Sequence, residues 1–194
     1  MIRPILLSAL SLVTTFGIGS FDRSATWAES PKVGASVNGF TLPVVGDDGE
    51  VSLTQELTEG PVVVVVLRGY PGYQCPACQR QVASFANRAK TLGQLTHRVI
   101  LVYPGPADTL SAHAEEFMGQ RSLPEPLKIV RDADMKMVDD WGLRWNAPRE
   151  TAYPSTFIIK QDGTVAWKKV SDNHAGRAEA EEVVNELRKL AKAQ

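Results

Sequence analysis

The chain has 194 residues with 21 basic and 22 acidic side chains, which gives a formal net charge of −1. This balance excludes a protein that binds nucleic acid through an excess of positive charge, so we expect no nucleic acid among its partners. The length and the 43% of hydrophobic residues suit one ordinary domain with a packed core.

The N-terminal segment has the pattern of a secretory signal peptide. Arg3 is followed by an uncharged apolar stretch, and Thr26 and Ala28 are small residues at the −3 and −1 positions of a cleavage site. We therefore expect residues 1–28 to be a signal peptide, residues 29–194 to be the mature domain, and the protein to be exported to the periplasm or another extracytoplasmic space. The alternative is an uncleaved anchor, the only case in which we expect contact with a membrane.

Strand and helix patterns alternate along the rest of the chain. Turn residues between short apolar pieces predict a β-hairpin over about 32–53, and the run Pro61 to Leu67 predicts a strand buried on both faces. Periodicity and turn residues then predict a helix over about 76–92, a strand over 98–105, a helix over 107–120, a strand over 127–132, a helix over 134–143, a hairpin of 157–159 and 165–170, and a helix over about 177–193. This order predicts an α/β sandwich around a mixed sheet.

The only two cysteines, Cys75 and Cys78, lie where a central strand gives way to a helix. A disulfide between them closes too short a loop to stabilise the fold by much. Cys75 falls at the start of the helix, where unpaired backbone N–H groups and the helix dipole lower the pKa of a thiol. Cys78 lies one turn later, where it can attack a mixed disulfide formed at Cys75.

Two other interpretations of the cysteines are a zinc site and an inert structural disulfide. A zinc site needs about four ligands, and the three histidines show no paired ligand spacing beside the C-x-x-C motif. An inert structural disulfide is the second alternative. Both are weaker than reversible dithiol chemistry, because a C-x-x-C at a strand-to-helix junction in an exported α/β chain is typical of redox proteins. We therefore expect no bound metal.

A second segment, “TAYPSTFII”, places Pro154 just before a late strand. Together with the C-x-x-C motif it resembles the thioredoxin superfamily. In that superfamily a cis-proline before a late strand packs against the two cysteines and leaves backbone free to pair with a substrate. The resemblance implies a cis Tyr153–Pro154 bond beside Cys75 and Cys78.

A wider resemblance covers about residues 32–190. The segments “VVVLRGYPGYQCPACQRQ”, “YPSTFIIKQDGTVAWKKV” and “GRAEAEEVVNELRKL” resemble an AhpC/TSA redoxin of the peroxiredoxin-like group. This resemblance implies a thioredoxin-like sandwich in which helices flank a central mixed β-sheet, preceded by an N-terminal β-hairpin. It also implies a thiol-dependent oxidoreductase with antioxidant activity and no cofactor besides a redox-active disulfide of Cys75 and Cys78.

The chain departs from the peroxiredoxin pattern Pro-x-x-x-Thr/Ser-x-x-Cys, in which the hydroxyl and a late-strand arginine hold the peroxide. If the pattern is aligned on Pro71, Cys75 stands at the position of the Thr/Ser hydroxyl and Cys78 at the position of the peroxidatic cysteine. If Cys75 is aligned with the peroxidatic cysteine instead, Gly72 stands at the position of the hydroxyl. Pro154 stands at the arginine position.

These departures favour thiol–disulfide exchange with a protein partner, with Cys75 attacking and Cys78 resolving. Reduction of a peroxide is the alternative. An alternative from another functional class is a copper-handling protein of the same fold. Such proteins have a C-x-x-x-C motif with a distant histidine, whereas the spacing here is C-x-x-C.

Other residues near the cysteines are candidates for binding a substrate. Tyr70 and Tyr73 belong to the loop before the helix, and Tyr153 lies beside the predicted cis bond, so we name all three as substrate-binding candidates. Arg68 and Arg149 are potential sources of a guanidinium, although neither falls at the position that peroxiredoxins use.

The remaining candidates carry weaker signals. Glu150 and Asp132 are possible proton-transfer groups that little distinguishes from solvated charges. We expect Trp141 and Trp145 to pack in the core or at its rim. His174 lies in the polar loop “SDNHAG”, and we interpret it as an ordinary loop residue because no partner motif lies beside it.

Overall fold

The described part of the protein, residues 29–193 of a computed structural model, contains seven strands and six helices. The strands are β1 (Thr41–Pro43), β2 (Glu50–Ser52), β3 (Val62–Val66), β4 (Arg98–Gly105), β5 (Leu127–Ala133), β6 (Ser155–Ile159) and β7 (Val165–Val170). The helices are α1 (Leu53–Glu59), α2 (Pro76–Asn87), α3 (Ala89–Leu92), α4 (Ala107–Met118), α5 (Lys136–Asp140) and α6 (Ala180–Lys192). The predicted signal peptide, residues 1–28, lies outside the described residues, so its cleavage stays a prediction.

Five strands form one mixed sheet in the order β5-β4-β3-β6-β7. The pairs β3–β4 and β4–β5 are parallel, whereas β3–β6 and β6–β7 are antiparallel. β1 and β2 form a separate two-stranded hairpin. The valine run is the centre of the sheet, and all five valines of β3 are fully buried, as their uninterrupted β-branched pattern predicts.

Two apolar clusters cover the two faces of the sheet. Val63 and Val65 face a cluster that includes both cysteines and the inner sides of α2, α4 and α6. Val62, Val64 and Val66 face the other cluster, which α1 and α5 complete. The protein is therefore a helix–sheet–helix sandwich, and the cysteines lie in the layer between the sheet and α2. Within residues 29–193, no helix is both long enough and apolar enough to cross a bilayer.

The observed elements follow the predicted ones with two differences. The predicted helix over 76–92 is two helices, because the amide of Arg88 bonds to the Phe85 carbonyl three residues back and ends α2. The helix α1 was missed: only Leu53 and Leu57 face the core along its seven residues, so its apolar periodicity is too short to detect. Trp141 is buried in the core, as predicted.

Candidate active site

The loop from β3 to α2 brings the cysteines to the carboxyl end of the central strand. Leu67 continues the strand by donating its amide to the Val102 carbonyl at 2.9 Å, and the amide of Tyr70 bonds to the Pro104 carbonyl at 3.0 Å. Between them Gly69 has a φ of +70°, and a Cβ there would lie 1.9 Å from the Pro104 oxygen. Only glycine can occupy position 69, because a side chain there would collide with β4. Gly69 therefore allows the loop to pass close to β4 at its start.

Cys75 is the N-cap residue of α2, as the sequence predicts. Its backbone is extended, Pro76 takes the first helical position, and the Cys75 sulfur accepts a hydrogen bond from the backbone amide of Cys78 at 3.4 Å. Both cysteines are free thiols and both are buried: Cys75 is 4% exposed and Cys78 is fully buried.

The pKa values of the two cysteines are shifted in opposite directions. A hydrogen bond from the Cys78 thiol, the Cys78 amide and the positive charges of Arg177 and Arg68 lower the pKa of Cys75 to about 5, against the opposing effect of burial. Burial, together with the hydrogen bond to Cys75, raises the pKa of Cys78. At neutral pH Cys75 is therefore a thiolate and Cys78 is a thiol that donates to it.

Arg177 is the site residue that the sequence analysis missed. Its Nη2 lies 3.8 Å from the Cys75 sulfur, its Nη1 donates to Gln81 Oε1 at 3.1 Å, and its Nε donates to the His174 carbonyl at 3.2 Å. Gln81 is held in turn by its Nε2, which donates to the Ala178 carbonyl at 3.2 Å. The guanidinium is thus fixed at the thiolate, and only 8% of Arg177 is exposed.

A signal for Arg177 existed in the sequence, although it was weak. Gln81 is a polar residue on the face of α2 that packs against the core, and a buried amide needs partners. Its partners come from the segment before α6, about one hundred residues later in the chain. No local pattern indicates which residue of that segment reaches the helix.

A second guanidinium, that of the buried Arg68, forms a partly buried ion pair beside the cysteines. Arg68 is 2% exposed; its Nη2 lies 2.9 Å from Glu150 Oε1, and its Nε bonds to the other carboxylate oxygen. His174 Nε2 lies 3.0 Å from the same Glu150 Oε1. The interpretation of His174 as an ordinary loop residue was therefore incomplete, because its ring contacts Glu150 and its carbonyl holds Arg177. Arg149 contributes its backbone carbonyl to Arg68, not a guanidinium to the sulfur.

The three candidate tyrosines lie in different surroundings. Tyr73 is 45% exposed, and its phenol oxygen accepts a hydrogen bond from Arg68 at 2.6 Å. Tyr70 stacks on His113 with ring centroids 3.5 Å apart. Tyr153 stacks on Trp145 at 4.9 Å, which places Trp145 in an aromatic pair outside the buried core. Of the three, Tyr73 is joined to the site's polar network, and a substrate-binding role for any of them stays a prediction.

Gln74 ties the residue before Cys75 to α4. Its Nε2 donates to the His113 carbonyl and to Glu116 Oε2, both at 2.9 Å, and its Oε1 accepts from the Tyr103 hydroxyl at 2.9 Å. Tyr103 is fully buried, and burial raises its pKa. Gln74 therefore holds the loop before Cys75 against β4 and α4.

The expected cis Tyr153–Pro154 bond is wrong. Among residues 29–193 the cis peptide is Glu125–Pro126, so the bond before Pro154 is trans. The expectation depended on the resemblance to the thioredoxin superfamily, whereas the trans form is the usual state of an X–Pro bond. The Pro154 carbonyl accepts from the amide of Ser171 at 2.9 Å, so this oxygen is occupied by the chain itself.

Asp132 has a structural role. Its two oxygens accept the backbone amides of Met137 and Val138, each at 3.0 Å, at the start of α5. Burial raises its pKa. It lies in the apolar layer of α5, on the other side of the sheet from the cysteines, so it is a helix cap and not a proton donor for them. In the part of the chain that the structure describes, no three His, Cys, Asp or Glu side chains are grouped as metal ligands.

A comparison with protein-family models matches residues 33–168 to the AhpC/TSA family. The chain belongs to the AhpC/TSA family. A search of curated proteins gives no match to it. The family model covers the β1–β2 hairpin, the whole central sheet except the end of β7, and both cysteines, but it ends before Arg177.

Solved structures of peroxiredoxins have the same fold as this AhpC/TSA protein. The crystal structure of peroxidoxin BcpB from Mycobacterium tuberculosis has 22% sequence identity and a TM-score of 0.61, and the match covers 82% of this chain and 98% of that one. Mycobacterium tuberculosis AhpC has 14% identity and a TM-score of 0.66, with 85% and 96% covered. The mitochondrial 2-Cys peroxiredoxin from Plasmodium falciparum has 15% identity and a TM-score of 0.65, with 84% and 95% covered. Membership of the family supports thiol-dependent redox activity, and the low identities limit these three comparisons to the fold.

Proposed function

We propose that this AhpC/TSA protein is an exported thiol peroxidase in which Cys75 attacks the peroxide and Cys78 resolves the product. The observation that carries the proposal is a buried, ionised sulfur faced by the guanidinium of Arg177 at 3.8 Å. Because Cys75 is only 4% exposed, a small hydroperoxide can reach its sulfur more easily than the disulfide of a folded protein can. The guanidinium can also hold a peroxide oxygen, the task that a late-strand arginine has in typical peroxiredoxins.

The proposed reaction has two chemical steps. The Cys75 thiolate attacks one peroxide oxygen, the O–O bond breaks, and the alkoxide or hydroxide that leaves takes up a proton, which gives a sulfenic acid and an alcohol or water. The Cys78 thiol then attacks that sulfenic sulfur and releases water, which leaves a Cys75–Cys78 disulfide. A dithiol from outside the chain reduces the disulfide and completes the cycle.

Direct exchange with the disulfide of a partner protein is the second candidate. The C-x-x-C spacing and the N-cap position of Cys75 favour it. It ranks second, which reverses the order expected from the sequence, because the Tyr153–Pro154 bond is trans and the backbone before Pro154 is bonded within the chain. The Tyr153 amide donates to the Leu143 carbonyl at 2.9 Å, and the Tyr153 carbonyl accepts from Ser155 Oγ at 2.7 Å. Exchange remains part of the cycle in either case, since it regenerates the reduced pair.

One experiment separates the two candidates. Reduced protein is mixed with hydrogen peroxide or cumene hydroperoxide, and separately with an oxidised protein substrate such as insulin, and the loss of free thiol is followed. The proposal predicts that the peroxides oxidise the pair faster at equal concentration, and that Cys75→Ser abolishes the reaction. Faster oxidation by insulin would overturn the proposal in favour of disulfide exchange. A Cys75→Ser variant as fast as wild type would overturn the assignment of the thiol.

A further inference from the structure

The backbone of His174 lies close to the Cys75 sulfur. Its carbonyl accepts a hydrogen bond from Arg177 Nε at 3.2 Å, and Arg177 Nη2 lies 3.8 Å from the sulfur. The N–H bonds of Nε and Nη2 point from the same edge of the planar guanidinium. The His174 carbonyl and the Cys75 sulfur therefore share one edge of Arg177, although no sequence pattern connects the two residues.

The imidazole ring of His174 is held by Glu150 and Trp145. Its Nε2 lies 3.0 Å from Glu150 Oε1, the oxygen that Arg68 Nη2 also contacts at 2.9 Å. Because a carboxylate only accepts hydrogen bonds, Nε2 carries the hydrogen of this contact. The Trp145 indole packs against the ring with centroids 5.2 Å apart and an angle of 68° between the planes. The orientation of the ring is thus fixed, with Nδ1 on the side away from Glu150.

The Nδ1 atom is available for proton transfer. Among residues 29–193 no group makes a hydrogen bond to it, and the His174 side chain is 48% exposed, whereas that of Glu150 is 10% exposed. The contact of Nε2 with Glu150 is kept in both protonation states of the ring, since Nε2 carries a hydrogen in each. The ring can therefore release a proton from Nδ1 and recover one from water without changing its orientation.

The proposed reaction needs a proton at the oxygen that leaves, because hydroxide and alkoxide are strongly basic. Arg177 cannot supply it, since an arginine is not deprotonated in a protein. Burial raises the pKa of Cys78, so its thiol is a poor donor. Histidine is the side chain that most readily gives and takes a proton near neutral pH. Of the groups around Arg177, His174 therefore suits this transfer best.

We propose that His174 is the general acid of the peroxide reaction and gives its Nδ1 proton to the leaving oxygen. This proposal rests on the proposed peroxidase function and adds a catalytic residue to it. The Cys75 thiolate attacks the terminal peroxide oxygen, so that an S–O bond forms, the O–O bond breaks and the sulfur is oxidised to a sulfenic acid. The leaving oxygen keeps the electron pair of the O–O bond, takes the Nδ1 proton and departs as water or an alcohol. The neutral ring regains a proton from solvent.

The first test compares oxidants whose leaving groups differ in basicity. Hydrogen peroxide and cumene hydroperoxide release anions that need a proton, whereas peracetic acid releases acetate, which does not. His174→Gln removes the proton donor and keeps the backbone carbonyl that holds Arg177. At pH 7 we expect this variant to lose Cys75 thiol at least about 100-fold more slowly than wild type with the two hydroperoxides, because a general acid contributes about 10²–10⁴-fold. Its rate with peracetic acid should be unchanged.

His97→Gln is the matched control. His97 Nε2 lies 2.8 Å from Glu56 Oε2, which Arg98 Nε also contacts at 2.8 Å, so the same three residue types meet there. This group lies before β4, at the opposite end of the sheet from the cysteines. The control should keep the wild-type rate with all three oxidants. Alkylation of Cys75 by iodoacetamide should be unchanged in both variants, because neither removes a group that contacts the sulfur.

The second test needs no variant, so it covers the case in which His174→Gln fails to fold. Wild-type protein should react more slowly with hydrogen peroxide in heavy water than in ordinary water, and equally fast with peracetic acid, because only the first reaction moves a proton in its transition state. Equal rates with hydrogen peroxide in the two solvents would overturn the proposal.

Two results with His174→Gln would also overturn the proposal. A wild-type rate with hydrogen peroxide would show that water supplies the proton, and an equal loss of rate with peracetic acid would show a merely structural role for the ring. Failure of the peroxidase function itself is distinguishable from these results. In that case wild-type protein would react no faster with hydrogen peroxide than an ordinary thiol does, whereas an error confined to His174 leaves the wild type fast.

Discussion

The backbone amide of Cys78 donates a hydrogen bond to the Cys75 sulfur at 3.4 Å, within the first turn of α2. The two cysteines of this contact differ in charge. Cys75, at the N-terminal end of α2, is ionised, whereas Cys78 is fully buried and protonated. The same contact places Cys78 where it can later attack Cys75. The asymmetry of the pair follows from where each residue falls in the helix, and it can be measured.

Alkylation of Cys75 should depend on the hydrogen bond from the side chain at position 78. Since the pKa of Cys75 is lowered to about 5, its rate of reaction with iodoacetamide should be half-maximal near pH 5 and level off toward neutral pH. Cys78→Ser keeps an O–H donor, whereas Cys78→Ala has none. We expect the midpoint in Cys78→Ala to be at least about one pH unit above that in Cys78→Ser, because a hydrogen bond to a charged group contributes about 1.5–3 kcal/mol. Equal midpoints in the two variants would show that the side-chain hydrogen bond is unimportant.

The stability of the reduced protein should rise with pH through the same ionisation. The folded pKa of Cys75 is lowered from its ordinary value of 9.0 to about 5, so the unfolded state binds more protons between these values. The stabilisation from the thiolate is absent below about pH 5 and complete above about pH 9. Urea unfolding of reduced wild type and of Cys75→Ala, done without oxygen, should give a difference in unfolding free energy that grows over this range. A difference that is constant with pH would contradict the lowered pKa.

Removing the carboxylate of Glu150 should destabilise the fold strongly. Glu150→Gln leaves Arg68 as a buried cation without its counter-charge, and breaking such a pair costs about 3–5 kcal/mol. The matched control is Glu182→Gln, which breaks the partly exposed pair with Lys169 and should cost at most about 1 kcal/mol. Urea unfolding of both variants measures the contrast. Similar losses in the two variants would mean that the Arg68–Glu150 pair contributes no more than a surface pair does.

Gly69 should tolerate no side chain. In Gly69→Ala the new Cβ meets the Pro104 oxygen at 1.9 Å, and the residue must also keep a φ of +70°. Gly163→Ala is the matched control, since its φ is +81° and no atom lies within 4 Å of the new Cβ. The free energy of unfolding of the control should fall by about 1–2 kcal/mol from backbone strain alone. In Gly69→Ala the free energy of unfolding, measured with urea, should fall by more than this. The substitution should also slow alkylation of Cys75, because the loop that carries the cysteine has to move.

Much of the fold and the position of Cys75 could be predicted because the signals are local. The valine run, the strand over 98–105 and the N-cap position of Cys75 before Pro76 each depend on residues next to one another in the chain. Hydrophobic period and the tolerance of proline at a helix start are enough to place them. The short α1 shows the limit, because two inward leucines give no detectable period.

The polar half of the site could not be predicted, since its partners are far apart in sequence. Arg177 reaches Cys75 across 102 positions, and Glu150 reaches Arg68 across 82. Only the folded sheet and the packing of the segment before α6 bring them together. The prediction for Pro154 failed for a different reason: the resemblance supplied a cis bond that the local sequence does not require, and the structure has the trans form.

Trapping the first oxidation product shows which of the two cysteines reacts with the peroxide. Reduced Cys78→Ser and reduced Cys75→Ser are each treated with one equivalent of hydrogen peroxide in the presence of dimedone, which labels sulfenic acids, and the adducts are located by peptide mass spectrometry. We expect rapid labelling of Cys75 in Cys78→Ser and little labelling of Cys78 in Cys75→Ser, because burial keeps the Cys78 thiol protonated. Labelling of Cys78 that is as fast as that of Cys75 would show that Cys75 is not the preferred target of the peroxide, and would place the peroxidatic sulfur at position 78.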